Sequence, residues 1–111
     1  MNQKDIRLDL LKKIEANPQY TQRELSREMG VSLGKINYCM KKLIEKGLVK
    51  LNNFSRSSNK LSYSYILTSK GIEEKSRLTF SFLKRKTIEY EVLRKEIYAL
   101  KLESEQMRTK K

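Results

Sequence analysis

The stretch of the chain that decides its fold reads TQRELSREMGVSLGKINYCMKKLIEKG, residues 21–47. Thr21 can cap the first turn of a helix, and Glu24 three residues later can return the hydrogen bond, which is the pattern of a capping box. Gly30 can close this helix, because glycine readily adopts the left-handed backbone conformation. Ser32 then caps a second helix that runs to Gly47. Two short helices joined by a tight, glycine-containing turn predict a helix-turn-helix unit, which presents its second helix to the major groove.

A further helix precedes this unit, and its apolar residues at helical spacing are Ile6, Leu10, Leu11 and Ile14. It should end at Asn17-Pro18, because the residue before a proline avoids the helical conformation. After Gly47 the apolar residues follow the spacing of strands, which predicts a hairpin with strands near 48–51 and 61–67. The polar, turn-prone residues 52–60 would form the loop between these strands.

From Thr68 onward the pattern is helical, and no proline or glycine follows Gly71. A helix of up to about forty residues is too long for a small domain to cover, so its far half should find a partner helix. The predicted fold is mainly α with a small β-hairpin (α+β). It consists of a winged helix-turn-helix domain, residues 1–71, followed by a long C-terminal dimerisation helix, residues 72–111.

The order of these elements resembles the winged-helix domain of MarR-type transcriptional regulators. The stretches that carry the resemblance are TQRELS (21–26), VS (31–32), KLIEKGLV (42–49) and YILTSKGIE (65–73). The short length and the single long helix after the wing are most similar to the compact group associated with exopolysaccharide gene clusters. Larger members of the family carry several dimerisation helices and bind phenolic ligands between those helices and the DNA-binding domain. The resemblance implies a DNA-binding regulator, but the sequence identifies neither a small-molecule effector nor the direction of regulation.

The composition agrees with a nucleic-acid partner. Lys and Arg number 25 against 13 Asp and Glu, which gives a net charge of +12, and such an excess favours a polyanionic partner. No segment approaches the roughly 18 to 20 apolar residues of a membrane span, and the N-terminus lacks an apolar signal core. We therefore expect a cytoplasmic protein without a membrane partner.

The residues that commonly carry catalysis are scarce. Histidine is absent, and the single cysteine, Cys39, rules out an internal disulfide and is expected to pack as a small apolar residue. Asp5 and Asp9 share one face of the first helix, but no third metal ligand lies near them in the sequence. We expect no enzyme activity, no cofactor and no metal site.

The candidate DNA contacts fall into three groups. Base-edge candidates on the second helix are Ser32, Leu33, Lys35, Asn37 and Tyr38, of which Asn37 could pair with adenine and Lys35 with guanine. Backbone candidates are Thr21, Arg23, Lys41 and Lys42. Wing candidates for the minor groove or adjacent phosphates are Arg56 and Lys60. The alternative for each of these side chains is an ordinary solvated position.

The long helix shows a heptad pattern. Its apolar seam has Leu83, Tyr90 and Ile97 at position a and Leu93, Leu100 and Met107 at position d. The flanking charges are Glu89, Glu96 and Glu103 at g and Arg94, Lys101 and Arg108 at e. Every g to e′ pair in a parallel dimer then joins opposite charges, whereas an antiparallel pair would oppose like charges. We predict a parallel two-stranded coiled coil; the alternative is a helix that packs its apolar residues on its own domain.

The functional prediction is a sequence-specific, double-stranded DNA-binding transcriptional regulator that acts as a homodimer. Its recognition helix, residues 32–46, would enter the major groove, and its wing, residues 52–60, would contact the minor groove or backbone. The alternatives are a winged-helix adaptor for another protein and a nonspecific DNA-binding protein.

Overall fold

The computed structural model describes residues 2–53 and 63–109, and the chain divides into two compact units, Met1–Thr79 and Phe80–Lys111. The elements in chain order are α1 (Gln3–Ala16), α2 (Gln22–Met29), α3 (Leu33–Glu45), β1 (Val49–Asn53), β2 (Tyr63–Leu67) and α4 (Ser69–Thr109). The two strands pair in an antiparallel hairpin. The predicted fold class, mainly helical with a small hairpin and a long final helix, is confirmed.

The turn between α2 and α3 forms as its residues predict. The Glu24 backbone N–H donates to Thr21 Oγ1 over 3.1 Å, and the Thr21 N–H donates to Glu24 Oε1 over 3.2 Å, which completes the capping box. Gly30 lies in the left-handed region with φ +64°. Ser32 caps α3 by accepting a hydrogen bond from the Lys35 backbone N–H. The helix-turn-helix geometry therefore follows from local capping chemistry.

The core of the first unit is apolar. Its buried side chains are Ile6, Leu8, Leu10, Leu11, Ile14, Leu25, Ile36, Cys39, Met40, Leu43, Leu48, Val49, Tyr65 and Leu78. Ile44 is 38% exposed although it lies near the apolar side of α3, and Cys39 is buried as expected of a packed apolar side chain. Ile36, Cys39, Met40 and Leu43 form the face of α3 that the other elements cover, and Ile44 lies about 100° beyond Leu43, at the edge of this face. At the start of α4, Ile72 is exposed, whereas Leu78 packs in the core.

The first strand of the hairpin extends further toward the loop than predicted. Asn52 and Asn53, which we expected in the loop, belong to β1, where Asn52 pairs with Ser64 and Asn53 with Tyr63. The Tyr65 backbone N–H donates to the Pro18 carbonyl over 3.0 Å, which ties β2 to the connection between α1 and α2. The hairpin is thus fixed directly to the segment that leads into α2.

Two glycines govern the junction between α3, β1 and α4. Gly47 ends the α3 turn with φ +71°, and Thr68 Oγ1 donates to its carbonyl over 2.6 Å. The Thr68 backbone N–H donates to the Leu48 carbonyl over 3.0 Å, and the Thr68 hydroxyl accepts from the Gly71 N–H. A Cβ at Gly71 would lie 2.1 Å from the Leu48 carbonyl oxygen. Each Lys-Gly pair of the sequence therefore marks a backbone position that requires glycine.

Ion pairs attach the first turns of α4 to α1. Arg7 Nη1 lies 3.1 Å from Glu74 Oε2, and Lys75 pairs with Glu15. Burial by itself raises the pKa of the Glu74 carboxyl, but hydrogen bonds and charge attraction from Arg77 and Arg7 outweigh it, so this pKa lies below its usual value. These contacts fix residues 69–79 within the first unit.

Residues 80–109 of α4 form the described part of the second unit and extend about 45 Å along the helix axis, at 1.5 Å per residue. Ion pairs within this segment join Glu89 to Arg85 and Lys86, and Arg94 to Glu91. No helix within the described ranges is both long enough and apolar enough to cross a membrane.

Candidate nucleic-acid interface

The side of α3 that faces away from the core is exposed along the whole helix. Its residues, at helical spacing, are Leu33, Gly34, Asn37, Tyr38 and Lys41. A Cβ built on Gly34 would meet no atom within 4 Å, so the backbone of the first turn is open to close approach. A helix with one face fixed in the core and the other free has the arrangement that major-groove readers use.

Tyr38 forms a small aromatic and cationic cluster at the middle of this face. The ring is 52% exposed, and the Nζ atoms of Lys35 and Lys42 lie 5.8 and 5.6 Å from its centroid. Both distances are within the range of cation–π attraction, which also favours these lysines staying beside the ring. Lys42 lies 3.5 Å from Glu45 as well, in an exposed pair that contributes little. The cluster presents one apolar ring between two positive charges.

Asn37 is connected by its amide to two other elements. Asn37 Nδ2 donates to Gln22 Oε1 over 3.2 Å, and Gln22 Nε2 donates to the Tyr65 hydroxyl over 3.1 Å. The three residues belong to α3, to the first turn of α2 and to β2, respectively. A continuous line of hydrogen bonds therefore joins the exposed face of α3 to the hairpin.

The remaining predicted DNA contacts lie around this face. Thr21 and Arg23 flank the start of α2 and are exposed, as are Lys41 and Lys42 in the second half of α3. The Ser32 side chain is engaged in capping α3. Arg56 and Lys60 lie outside the described residues. As DNA contacts, all of these residues stay predictions.

The predicted dimerisation residues are all exposed. Leu83, Tyr90, Leu93, Ile97, Leu100 and Met107 are between 44% and 75% exposed in the second unit. Six large apolar side chains on one helix cost free energy in water unless another surface covers them. This segment of α4 is a candidate interface with another protein chain, whereas the exposed face of α3 is a candidate interface with DNA.

Sequence reasoning missed Gln22 and Tyr65 as parts of the site. Gln22 is 15 residues from Asn37 in the sequence and 43 residues from Tyr65. No local sequence pattern therefore indicates either contact. The Tyr38 cluster could have been found from the sequence, because Lys35 and Lys42 lie three and four residues from Tyr38. Among the residues that the structure describes, no group of three or more side chains is placed to hold a metal ion.

Residues 3–50 match a family model for winged helix-turn-helix DNA-binding domains. A search of curated proteins by sequence found no match. The fold is similar to that of the transcriptional regulator PcaV from Streptomyces coelicolor, with a TM-score of 0.60 and 16% identity over 86% of this chain and 78% of that one. It is also similar to a MarR/EmrR family transcriptional regulator from Acinetobacter sp. ADP1, with a TM-score of 0.62 and 20% identity over 94% and 72% of the two chains.

A MarR transcriptional regulator from Methanosarcina mazei Go1 gives a TM-score of 0.63 at 18% identity, over 91% of this chain and 75% of that one. These likenesses establish that the chain has the fold of MarR-type regulators. Together with the match over residues 3–50, they identify α2 and α3 as the helix-turn-helix of a DNA-binding type of domain.

Proposed function

We propose that this chain is a sequence-specific, double-stranded DNA-binding transcriptional regulator that acts as a homodimer. The observation that carries the proposal is the exposed face of α3, where Asn37, Tyr38 and Lys41 lie on the side opposite the buried residues. Asn37 supplies both a donor and an acceptor for a base edge, and the lysines supply charge for phosphates. The recognition helix, residues 32–46, occupies the major groove, and the wing, residues 52–60, contacts the minor groove or backbone.

The charge of the chain supports the same function. A net charge of +12 on 111 residues attracts DNA at long range and strengthens phosphate contacts. Arg23, Lys41 and Lys42 are exposed around the helix-turn-helix and are the cations we assign to the DNA backbone. An enzyme is disfavoured, because the chain has no histidine, the side chain that most often acts as a general base.

The second unit supplies the homodimer. Its a and d residues repeat every three and four positions from Tyr90 to Met107, interrupted by Ser104, and this spacing forms a continuous seam on one side of a helix. All six predicted seam residues are exposed, so a second copy of α4 can cover them. A parallel pairing brings Glu89, Glu96 and Glu103 against Arg94, Lys101 and Arg108 of the partner subunit.

A second apolar stripe on α4 is less suited to pairing with another copy. Ile88, Val92 and Leu102 lie at positions f and c, on the side of the helix opposite the seam, and are exposed. The positions that flank this stripe carry Glu91 and Glu105 on one side and the three g glutamates on the other. Two copies joined through this stripe would bring glutamate against glutamate. The charge pattern therefore favours pairing through the a/d seam.

The test of the function is a selection of genomic DNA fragments by the purified protein, followed by fluorescence anisotropy titration. The best fragment is compared with a scrambled duplex of the same composition over a series of salt concentrations. We expect a strong preference for a short inverted repeat, because a homodimer presents two equivalent helices to two half-sites. Affinity should fall steeply as salt rises. Equal, weak binding to both duplexes would contradict the proposal and favour a protein adaptor or a nonspecific DNA binder.

Gly34→Ala should raise the stability of the free protein and lower its affinity for DNA. The added Cβ meets no protein atom, and alanine favours a helix over glycine, so the free energy of unfolding should rise by about 0.5 kcal/mol. The same methyl group should lower operator affinity by about 5- to 100-fold, because it occupies space into which the DNA must approach. Thermal unfolding and anisotropy titration on one preparation measure both quantities.

A suitable control is Ala16→Gly at the end of α1, which should lower stability and leave operator affinity nearly unchanged. An unchanged operator affinity for Gly34→Ala, together with higher stability, would show that the first turn of α3 does not lie against DNA.

A further inference from the structure

Asn37 can read an adenine only if its amide is held in one orientation. Recognition of adenine needs the side-chain oxygen to accept from the base N6 amino group and an N–H to donate to N7. An exposed asparagine on an isolated helix rotates freely about its terminal torsion and presents these groups in either order. A third group that binds one hydrogen of the amide removes this ambiguity.

Gln22 is in the position to do so. Its Oε1 accepts one N–H of Asn37 Nδ2 over 3.2 Å, which leaves the second N–H and Oδ1 of Asn37 unused by this contact. Adenine requires Oδ1 together with the N–H on the same side of the amide, so the role of Gln22 is to accept the other N–H. The orientation of the Gln22 amide is in turn set by its Nε2, which donates to the Tyr65 hydroxyl over 3.1 Å.

The two residues that hold the Asn37 amide, Gln22 and Tyr65, are themselves anchored. Gln22 is the first residue of α2 and lies between Thr21 and Glu24, whose two capping-box hydrogen bonds fix the backbone around the helix start. Tyr65 is buried, and its backbone N–H is bonded to the Pro18 carbonyl. The line from Tyr65 through Gln22 to Asn37 therefore starts from the core and ends on the exposed face of α3.

We infer that Gln22 and Tyr65 are positioning residues that hold the Asn37 amide for the readout of one adenine in each half-site of the operator. This inference rests on the proposed function and adds to it the base that is read and the residues that enforce the reading. Neither Gln22 nor Tyr65 needs to touch the DNA for this role. Their effect should therefore depend entirely on the presence of Asn37.

The experiment is a double-mutant cycle on the selected operator, with Asn37→Ala, Gln22→Met and the double variant. Each protein is titrated against the operator and against duplexes in which single base pairs of both half-sites are changed. Asn37→Ala should lose about 5- to 150-fold of discrimination at one A·T pair per half-site. Gln22→Met, which keeps the length of the side chain and removes its amide, should lose about 2- to 10-fold at that same pair.

In the Asn37→Ala background, Gln22→Met should have no further effect on discrimination, since residues acting as one unit are not additive. Tyr65→Phe, which keeps the buried ring and removes the hydroxyl, should lower discrimination at the same base pair by a smaller factor than Gln22→Met. Gln22→Glu keeps an acceptor for Asn37 and can accept a hydrogen bond from the Tyr65 hydroxyl, but it adds negative charge. It should retain the discrimination while lowering the affinity for all duplexes alike.

Gln3→Met in the first turn of α1 is the matched control for the substitution and should change neither quantity. A Gln22→Met effect that persists without Asn37, or that lowers affinity equally for every duplex, would overturn the inference while leaving the proposed function intact. A wild-type protein without any preference among the duplexes would instead contradict the proposed function, and the inference with it.

Discussion

Ile97→Glu should convert the protein from a dimer to a monomer and lower its operator affinity by at least about 100-fold. Ile97 lies at position a in the middle of the predicted seam, where a glutamate would face its counterpart in the partner subunit and bury two like charges. A dimer binds its second half-site as an intramolecular step, and this gain of about 10² to 10⁴ in affinity is lost when the dimer dissociates. Sedimentation at micromolar concentration and anisotropy titration of the operator measure the two effects.

Leu102→Glu is the matched control for this substitution. Leu102 is 45% exposed and Ile97 is 44% exposed, so the two changes remove similar apolar side chains from similar environments on one helix. Leu102 lies at position f, away from the seam, and its substitution should leave the dimer and the operator affinity intact. Dissociation of the Leu102 variant together with an intact Ile97 variant would show that the helix pairs through its other stripe.

The orientation of the pair is tested by Glu96→Lys. In a parallel dimer this change replaces two attractive contacts with Lys101 of the partner subunit by repulsive ones, and it should weaken the dimer by about 2- to 30-fold. A second change, Lys101→Glu, should restore it. In an antiparallel dimer Glu96→Lys would relieve glutamate repulsion, so a tighter dimer would contradict the parallel arrangement.

Gly71→Ala should destabilise the first unit by about 3 kcal/mol, which corresponds to a fall of roughly 10 to 20 °C in Tm. The added Cβ would lie 2.1 Å from the Leu48 carbonyl oxygen. This oxygen belongs to the backbone and accepts the hydrogen bond of the Thr68 N–H, so α4 or the residue before β1 must shift to relieve the contact. Thermal unfolding followed by circular dichroism, at one fixed protein concentration, measures the change.

Gly34→Ala provides the comparison for Gly71→Ala, because the same substitution there meets no neighbouring atom and should slightly raise stability. Equal Tm values for the two variants would show that α4 does not pass so close to the Leu48 carbonyl. The contrast also distinguishes two uses of glycine in one chain, a close contact between two backbones and an open helix surface.

The local elements could be read from the sequence because their causes are local. The capping box of Thr21 and Glu24, the left-handed Gly30 and the Ser32 cap each depend on residues within a few positions of one another, and all three form as predicted. The long helix was equally clear, since Gly71 is the last glycine and Pro18 the only proline of the chain. The heptad seam and its flanking charges are likewise properties of the sequence alone.

The connections across the first unit were decided by the tertiary structure. The core takes Cys39 and leaves Ile44 exposed, because the elements packed on α3 determine which part of its apolar side is covered. The line from Tyr65 through Gln22 to Asn37 joins residues that are 43 and 15 positions apart. A sequence pattern shows the spacing of apolar residues in a helix or strand and the residues that cap its ends. Which distant side chains meet depends on the packing of whole elements, so it becomes visible only in the folded chain.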